Sequence, residues 1–461
     1  MNITELIYSM SDTALAIPFY FIIFASLVLT IISRGIQFRT LSTVGKLLWH
    51  AITLKKQPET ANTISPLDAL ATAMSSIGTG TIVGPIIAIG WGGPGALAGY
   101  IIGTILGAAV TFTEVRLAMM YRKRRADGSI SGGPMEYLHD EFSPFLAKIY
   151  AFFGFLLLTA WSSVQSNAVA VQLNTYGCST FWFGIILTGL IMLLLIRGIK
   201  IIGRFNEKLV PLKFITYISA MAWILIVNHA ALPEAFASIW HSLFTPATAL
   251  GASIGFGLNQ TAMRWGISRS IHSNEAGIGT STFPHSVAQA DSYSQSILAM
   301  VSVYSNGILC FLTGLAILVS GASQDTTTSL DITVFARIME NHFAAAGPIL
   351  LLIFTFMFAF GTILSNCYNG SQCFLYLTKQ THLKNGGISY YYLLAAITIF
   401  LGSIADFKFV WTIIDFFLLP VAIPHVIAIV ILALRRKDLF SQPAPTYQSE
   451  HSDIIKAERN T

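Results

Sequence analysis

The residues best suited to bind a ligand stand where a long apolar segment is interrupted by glycines. Residues 67–90 read LDALATAMSSIGTGTIVGPIIAIG, long enough to cross a bilayer at about 1.5 Å per residue. The middle of this segment is the run Gly78, Thr79, Gly80 and Thr81. Glycine disfavours a continuous helix, and hydroxyl side chains offer the backbone other partners. Unwound backbone inside a membrane is tolerated only where it is buried in protein or lines a polar cavity, so we expect a small ligand to be held here.

The unwound run favours an anionic group on that ligand. Backbone N–H groups at the start of a half-helix carry partial positive charge, which suits a carboxylate. The alternative is that the glycines only allow two helices to pack closely, as small residues often do in membranes.

Polar side chains in two other apolar segments are candidates to line the same cavity. Gln165 lies in the segment 146–172, and an amide inside a membrane must find a partner on another helix or on a ligand. Thr362, Ser365 and Asn366 share one helical face in the segment 347–377. Hydroxyl and carbonyl oxygens are hard ligands that suit Na⁺, although Ser and Thr can also bond to their own helix backbone.

Two acids lie at membrane depth and call for an explanation, because burying a charge there is costly. Glu114 is two residues from Arg116, and Glu275 follows Arg269. The ordinary interpretation is internal charge pairing that locks helices together. A proton relay or a gate is the alternative.

The composition identifies an integral membrane protein. Of the 461 residues 54% are hydrophobic and 11% are charged, against about 25% charged in soluble domains. The apolar runs are too long for barrel strands and predict helices. No nucleophile–base arrangement and no metal-ligand spacing of His or Cys is visible, so we predict that the chain is not an enzyme.

The hydropathy pattern predicts eleven membrane-spanning helices in a single transmembrane domain, residues 1–440, followed by a polar tail at 441–461. The spans lie at 14–33, 67–90, 96–120, 146–172, 180–196, 208–228, 248–271, 293–320, 347–377, 388–405 and 409–434.

The basic residues predict the orientation. With eleven spans, 22 of the 27 Lys and Arg residues fall on one side, which the positive-inside rule makes cytoplasmic. The amino terminus is then outside and the tail is cytoplasmic. Arg116, Lys148 and Lys213 are assigned to the inner ends of helices. The basic run at 122–125 is interpreted as a membrane-surface anchor rather than a nucleic-acid site.

The span count also predicts an internal repeat. Without the first helix ten spans remain, which divide into two sets of five at about 67–228 and 248–434. The second and seventh spans then correspond, and the seventh is also interrupted by glycine, at Gly255, Phe256 and Gly257. Two broken helices at matching places in two halves are typical of the midplane binding site of a transporter.

Several short motifs make the chain resemble the alanine or glycine:cation symporter family, the sodium:alanine symporters, from about residue 14 to 437. The combination of SNEAG and GGPM in this order is specific, whereas one glycine motif would be weak. The motifs are GIQFR at 35–39, GTG at 78–80, GGPGA at 92–96, GGPM at 132–135, VQSN at 164–167, EKLVP at 207–211, RWG at 264–266, SNEAG at 273–277 and AIP at 422–424.

The resemblance implies an all-α fold similar to the bacterial leucine transporter, with a five-plus-five inverted repeat and one extra amino-terminal helix. It also implies that Na⁺, or H⁺, drives the uptake of a small neutral amino acid. The backbone around residues 78–81 and 255–257 would hold the carboxylate and amine of the substrate, with Gln165 and Asn366 in the same pocket. The Na⁺ oxygens would come from the carbonyls of Met74 and Ile77 and from Thr362 and Ser365.

The SNEAG motif has a separate expected role. Asn274 lies 17 residues beyond Gly257, which at helical rise is on the order of 25 Å. Asn274 and Glu275, with Arg269 and Glu114, are therefore assigned to an inner gate or to structural capping of a helix end.

The chain departs from the family pattern near the expected site. Thr81 stands where the family usually has Asn, Asn306 where it commonly has Asp, and Leu418 and Leu419 where it has an Asn-Gly pair. The chain is therefore predicted to be a divergent member.

The sequence as a whole predicts a secondary active symporter. It would import a small neutral amino acid, similar to alanine or glycine, with Na⁺ or H⁺ by alternating access across the plasma membrane, the inner membrane in bacteria. The alternative is a membrane sensor, or non-transporting homologue, that binds amino acids without moving them.

Overall fold

The computed structural model describes residues 3–53, 63–125, 128–244, 260–321, 332–378, 387–405 and 407–441. These ranges are almost entirely helical, apart from two paired antiparallel two-residue strands, β1 (Lys123–Arg124) and β2 (Ile130–Ser131). The α-helices are α1 (Ile3–Ile32), α2 (Ile36–Arg39), α3 (Leu41–Thr53), α4 (Pro66–Ser75), α5 (Gly80–Gly92), α6 (Ala96–Met120), α7 (Pro134–Glu141), α8 (Pro144–Asn174), α9 (Thr180–Leu195), α10 (Ile199–Val227), α11 (Leu232–Phe244), α12 (Gln260–Asn274), α13 (Thr282–Ser286), α14 (Ser292–Val319), α15 (Ile332–Phe343), α16 (Ala346–Thr378), α17 (Gly387–Ile404) and α18 (Phe407–Arg435).

Most of the predicted spans coincide with apolar helices. Within the described ranges, α6, α8, α10, α14, α16 and residues 417–435 of α18 are long and apolar enough to cross a membrane, and α4 with α5 forms a bent seventh. Three shorter apolar helices lie at 17–32, 180–195 and 388–404. Ten of the eleven predicted spans are thus apolar helices. The other, at 248–271, is described only in its second part, α12, and the predicted tail beyond residue 441 lies outside the described residues.

A side chain caps the amino-terminal end of three helices at or near the predicted break. The Ser65 hydroxyl accepts the backbone N–H of Asp68 at the start of α4, and the Ser143 hydroxyl does the same for Leu146 at the start of α8. The Asp291 carboxylate caps α14 in the same way. Such caps satisfy N–H groups that have no partner within the helix.

The first predicted helix break is confirmed. Helix α4 ends at Ser75, α5 begins at Gly80, and the two axes differ by 47°. At the end of α4 the backbone tightens, with the N–H of Ser76 bonded to the carbonyl of Ala73 and that of Ile77 to Met74. The apolar segment therefore consists of two half-helices joined by a short unwound stretch.

The helix of the sixth predicted span begins earlier than the span itself, and the position assigned to Lys213, the inner end of a helix, is wrong. Helix α10 begins at Ile199, nine residues before the predicted boundary, so Lys213 lies in its middle with a side chain that is 1% exposed. The exposed charges of Arg204 and Lys208 gave this first part of the helix the composition of a loop. Because basic side chains can extend toward a membrane surface, they do not exclude a helix there.

Small residues set the contact between α6 and α12. Gly99, Gly103 and Gly107 recur every fourth residue on α6, and a Cβ added at Gly103 would come within 2.7 Å of the Cβ of Ser270. A Cβ at Gly266 of α12 would lie 2.1 Å from the carbonyl oxygen of Ala96. Close approach of helix backbones through small residues is a common way to pack membrane helices.

This contact predicts a large effect from a single methyl group. Gly266→Ala should destabilise the protein by about 1–3 kcal/mol, because the added methyl meets backbone atoms that cannot move without separating the helices. The measurement is the midpoint of thermal unfolding in detergent, monitored as the fraction of the protein that remains monodisperse after heating. The matched control is Gly189→Ala on α9, where nothing lies within 4 Å of an added Cβ. Equal midpoints for the two variants would contradict this account of the packing.

Candidate functional site

Gln165 on α8 contacts the unwound stretch directly. Its Oε1 accepts the backbone N–H of Thr79 at 3.1 Å and the hydroxyl of Thr79 at 3.0 Å. One amide oxygen thus satisfies a backbone donor and a side-chain donor released by the break. The structure brings together two of the residues predicted to bind substrate, which are 86 positions apart in the chain.

Gly78 occupies a place with no room for a side chain. A Cβ added there would lie 2.7 Å from the Thr362 hydroxyl and 2.9 Å from Oε1 of Gln165. The neighbouring Gly80 differs, since its nearest neighbour would be the Ser273 hydroxyl at 3.7 Å. Gly78 is therefore the point where α8, α16 and the unwound stretch meet.

The predicted polar face of α16 lies against the end of α4. The Thr362 hydroxyl donates to the carbonyl of Ser76 at 3.1 Å, and the carbonyl of Phe358 on its own helix lies 2.9 Å from the same hydroxyl. The Ser365 hydroxyl donates to the carbonyl of Thr72 at 2.8 Å. Self-bonding and bonding across helices thus occur together on this face.

Asn366 is the exception on this face. Its side chain is fully buried, and neither amide atom has a hydrogen-bond partner within the part of the chain that the structure describes. Burying an amide without hydrogen-bond partners costs free energy, so an amide in this position is typical of a group that binds a ligand or water.

The two carbonyls predicted to bind Na⁺ have a partner that sequence reasoning missed. Nζ of Lys213 donates to the carbonyl oxygens of Met74 and Ile77, both at 3.1 Å. The signal was present in the sequence: a lysine inside an apolar segment is a candidate functional residue by itself. The incorrect start of the helix concealed it.

Thr81 and Asn306, two of the residues that depart from the family pattern, are hydrogen-bonded to each other. The Thr81 hydroxyl donates to Oδ1 of Asn306 at 3.1 Å, and Nδ2 of Asn306 donates to Oδ1 of Asn274 at 2.6 Å. Asn274, which was expected far from the second break, is thus two hydrogen bonds from the first one. Nδ2 of Asn274 in turn donates to the Ser270 hydroxyl at 3.2 Å.

The SNEAG motif forms the turn that follows α12. Helix α12 ends at Asn274, and Glu275 and Gly277 have φ of +55° and +87°. Oε1 of the buried Glu114 accepts the backbone N–H of Gly277 at 2.8 Å, and Nδ1 of His425 lies 3.7 Å from the same oxygen. Glu114 therefore binds the turn itself.

Two arginines near these acids have aromatic neighbours. The Arg116 guanidinium donates to the Ser292 hydroxyl and lies over the ring of Tyr293. The Arg269 guanidinium lies 5.4 Å from the ring centre of Trp265. The expected pairing of Glu114 with Arg116 is therefore not the contact that the structure shows.

Asn167, the last residue of the VQSN motif, connects two helices, whereas the second predicted break is not described. Nδ2 of Asn167 donates to the carbonyls of Gly402 and Ala405, both at 2.8 Å, so this amide joins α8 to the end of α17. Gly255, Phe256 and Gly257 lie outside the described residues. The described half of the expected pocket consists of the unwound stretch, Gln165, and the polar face of α16.

This arrangement is suited to binding rather than to bond-making chemistry. It presents backbone groups, amides and hydroxyls, and the described residues contain no group of three or more His, Cys, Asp or Glu side chains that could hold a metal ion. Hydrogen-bond donors and acceptors that lie together at a helix break match the carboxylate and the ammonium group of a zwitterion.

Comparisons with known proteins agree with this interpretation. The chain is 31% identical over 396 residues to the sodium/alanine symporter AgcS of Methanococcus maripaludis, covering 82% of this chain and 84% of that one. It is 30% identical over 446 residues to the uncharacterized transporter YflA of Bacillus subtilis, covering 93% and 91%. The solved structure of MhsT in complex with L-phenylalanine superposes with a TM-score of 0.58 at 15% identity, covering 81% and 90%.

The structural likeness confirms the predicted fold, the leucine-transporter-like arrangement of two five-helix repeats with one extra amino-terminal helix. The profile of the sodium:alanine symporter family matches residues 1–453. The chain is a multi-pass membrane protein and belongs to the sodium:alanine symporter family.

Proposed function

We propose that this protein is a secondary active symporter that imports a small neutral amino acid, similar to alanine or glycine, with a cation by alternating access. Under this proposal Na⁺ or H⁺ is the driving ion and the protein lies in the plasma membrane. The amino terminus is outside and the tail at 441–461 is cytoplasmic. Membership in a family of symporters supports the proposal, as does the name of the relative AgcS.

The observation that carries the proposal is the contact set around the unwound stretch. Residues 76–79 are held by side chains from α8 and α16, and Gly78 leaves no space for a side chain between them. Packing alone needs small residues, but it does not need a buried amide such as Asn366 that has no partner among the described residues. A bound amino acid supplies partners for such a group.

The energetics of cation coupling are adequate for accumulation. One positive charge moving through 100 mV supplies about 2.3 kcal/mol, which corresponds to a concentration ratio of roughly 50 at equilibrium. An amino acid that is a neutral zwitterion adds no net charge, so the cation alone responds to the membrane potential.

The direct test is uptake into proteoliposomes. Purified protein should accumulate labelled alanine or glycine when a Na⁺ gradient or an H⁺ gradient is imposed, and unlabelled amino acids of similar size should compete. A panel of larger neutral and charged amino acids serves as the specificity control. Saturable binding without accumulation under either gradient would instead identify a sensor or a non-transporting homologue.

A matched pair of glycine substitutions tests whether the break is the binding site. Gly78→Ala should lower uptake about tenfold or more, because its methyl displaces Gln165 and Thr362, whereas Gly80→Ala has space and should lower uptake much less. Uptake is compared at equal amounts of monodisperse protein. Equal uptake by the two variants would show that the close approach at Gly78 does not matter for transport.

Asn366 allows a test that separates binding from stability. Because neither amide atom is bonded within the described protein, Asn366→Leu should leave the thermal midpoint unchanged or raised while increasing KM about tenfold or more. Asn167→Leu is the control, since it removes two hydrogen bonds to α17 and should lower the midpoint. An unchanged KM in Asn366→Leu would exclude Asn366 from the substrate site.

A further inference from the structure

Lys213 is a buried group that the proposed function leaves without a role. Its side chain is 1% exposed, in the middle of a membrane-spanning helix. A lysine at such a depth is costly and is generally found where its charge is needed. Its environment therefore indicates what the ammonium group does.

The ammonium group is fully satisfied by backbone oxygens. Nζ donates to the carbonyls of Met74 at 3.1 Å, Ser75 at 3.2 Å and Ile77 at 3.1 Å. An ammonium has three N–H donors, and here each has one carbonyl. The ring of Phe358 on α16 lies 5.2 Å from Nζ, a distance at which the ring face also favours a cation.

Two of these three oxygens, the carbonyls of Met74 and Ile77, are among those expected to bind Na⁺. The carboxyl-terminal end of α4 concentrates carbonyl groups without partners in the helix and carries partial negative charge, so a cation is favoured there. Met74 and Ile77 supply two of the four predicted Na⁺ oxygens, and both are taken by Nζ. The hydroxyls of Thr362 and Ser365 are also directed at carbonyls of this segment.

Na⁺ and Lys213 do not fit this place together. An ion bound to the carbonyls of Met74 and Ile77 would stand within a few ångströms of Nζ, and two positive charges in a site of low dielectric repel strongly. The structure records no ion pair for Lys213 with any acid in its described ranges. The residues present therefore suit an ammonium group and not an added Na⁺.

We infer that Lys213 is a built-in cation that takes the place of the coupling Na⁺ at the first helix break, so that this chain transports its substrate without Na⁺. The consequence for transport rests on the proposed function, whereas the occupation of the site rests on the contacts of Nζ. It assigns to one side chain the difference between this chain and a Na⁺-driven relative.

The test of transport is replacement of Na⁺. In proteoliposomes with a fixed membrane potential and pH gradient, exchanging Na⁺ for choline should change the uptake rate of the wild-type protein by less than about twofold. In Lys213→Ala the same exchange should lower uptake by about tenfold or more, because Na⁺ is then needed to fill the vacated position. Lys208→Ala, an exposed lysine on the same helix, is the matched control and should behave as wild type.

A second measurement does not need transport and so separates this inference from the proposed function. Binding of radioactive Na⁺ to purified protein should show one more bound ion for each molecule of Lys213→Ala than for wild type and Lys208→Ala. Lys213→Met, which keeps the length of the side chain, replaces Lys213→Ala if the smaller variant is not monodisperse.

The outcomes are decisive in both assays. A wild-type uptake rate that falls about tenfold without Na⁺ would overturn the inference while leaving symport intact. Equal Na⁺ binding by wild type and the Lys213 variants would also overturn it. If no amino acid is accumulated under any gradient, the proposed function fails, and a gain of one bound Na⁺ in the variants would still support the assignment of Lys213.

Discussion

The structure depends on satisfying the backbone carbonyls that the first helix break releases. The last four carbonyls of a helix have no partner within it, and inside a membrane no bulk water replaces that partner. Here the backbone N–H groups of Ser76 and Ile77 supply two partners, and the others come from two neighbouring helices, one with a lysine and one with hydroxyl side chains. The ammonium group of Lys213 on α10 binds Met74, Ser75 and Ile77, and on α16 Thr362 binds Ser76 while Ser365 binds Thr72.

The backbone N–H group of Thr79 at the break is satisfied by a different helix from those that satisfy the carbonyls. Gln165 on α8 accepts the N–H of Thr79, so α8 faces the amino-terminal part of α5 while α10 and α16 face the end of α4. These contacts are polar and specific for one geometry. The α6–α12 contact differs, because glycines and small side chains bring whole helix surfaces together there. The site is thus built on one unwound segment that is surrounded by closely packed helices.

The sequence predicted what depends on local pattern and not what depends on distant partners. Apolar length located ten of the spans, and glycine content located the break, because both are local properties of the chain. The position of Lys213 was missed because the charged first part of α10 has the composition of a loop. The bond between Thr81 and Asn306 joins residues 225 positions apart, and no single-sequence pattern indicates such a pair.

That pair also changes how the departures from the family pattern are understood. Taken separately, Thr81 and Asn306 each stand where the resemblance implies another polar residue, but in the structure they are donor and acceptor of one bond. An amide at position 306 can accept from Thr81 and also donate to Oδ1 of Asn274, whereas an ionised carboxylate can only accept. The substitutions are therefore compatible with each other and extend a line of neutral hydrogen bonds from the break to the SNEAG turn. Thr81 at the start of α5 and Asn274 at the end of α12 are thus connected through a single side chain, that of Asn306 on α14.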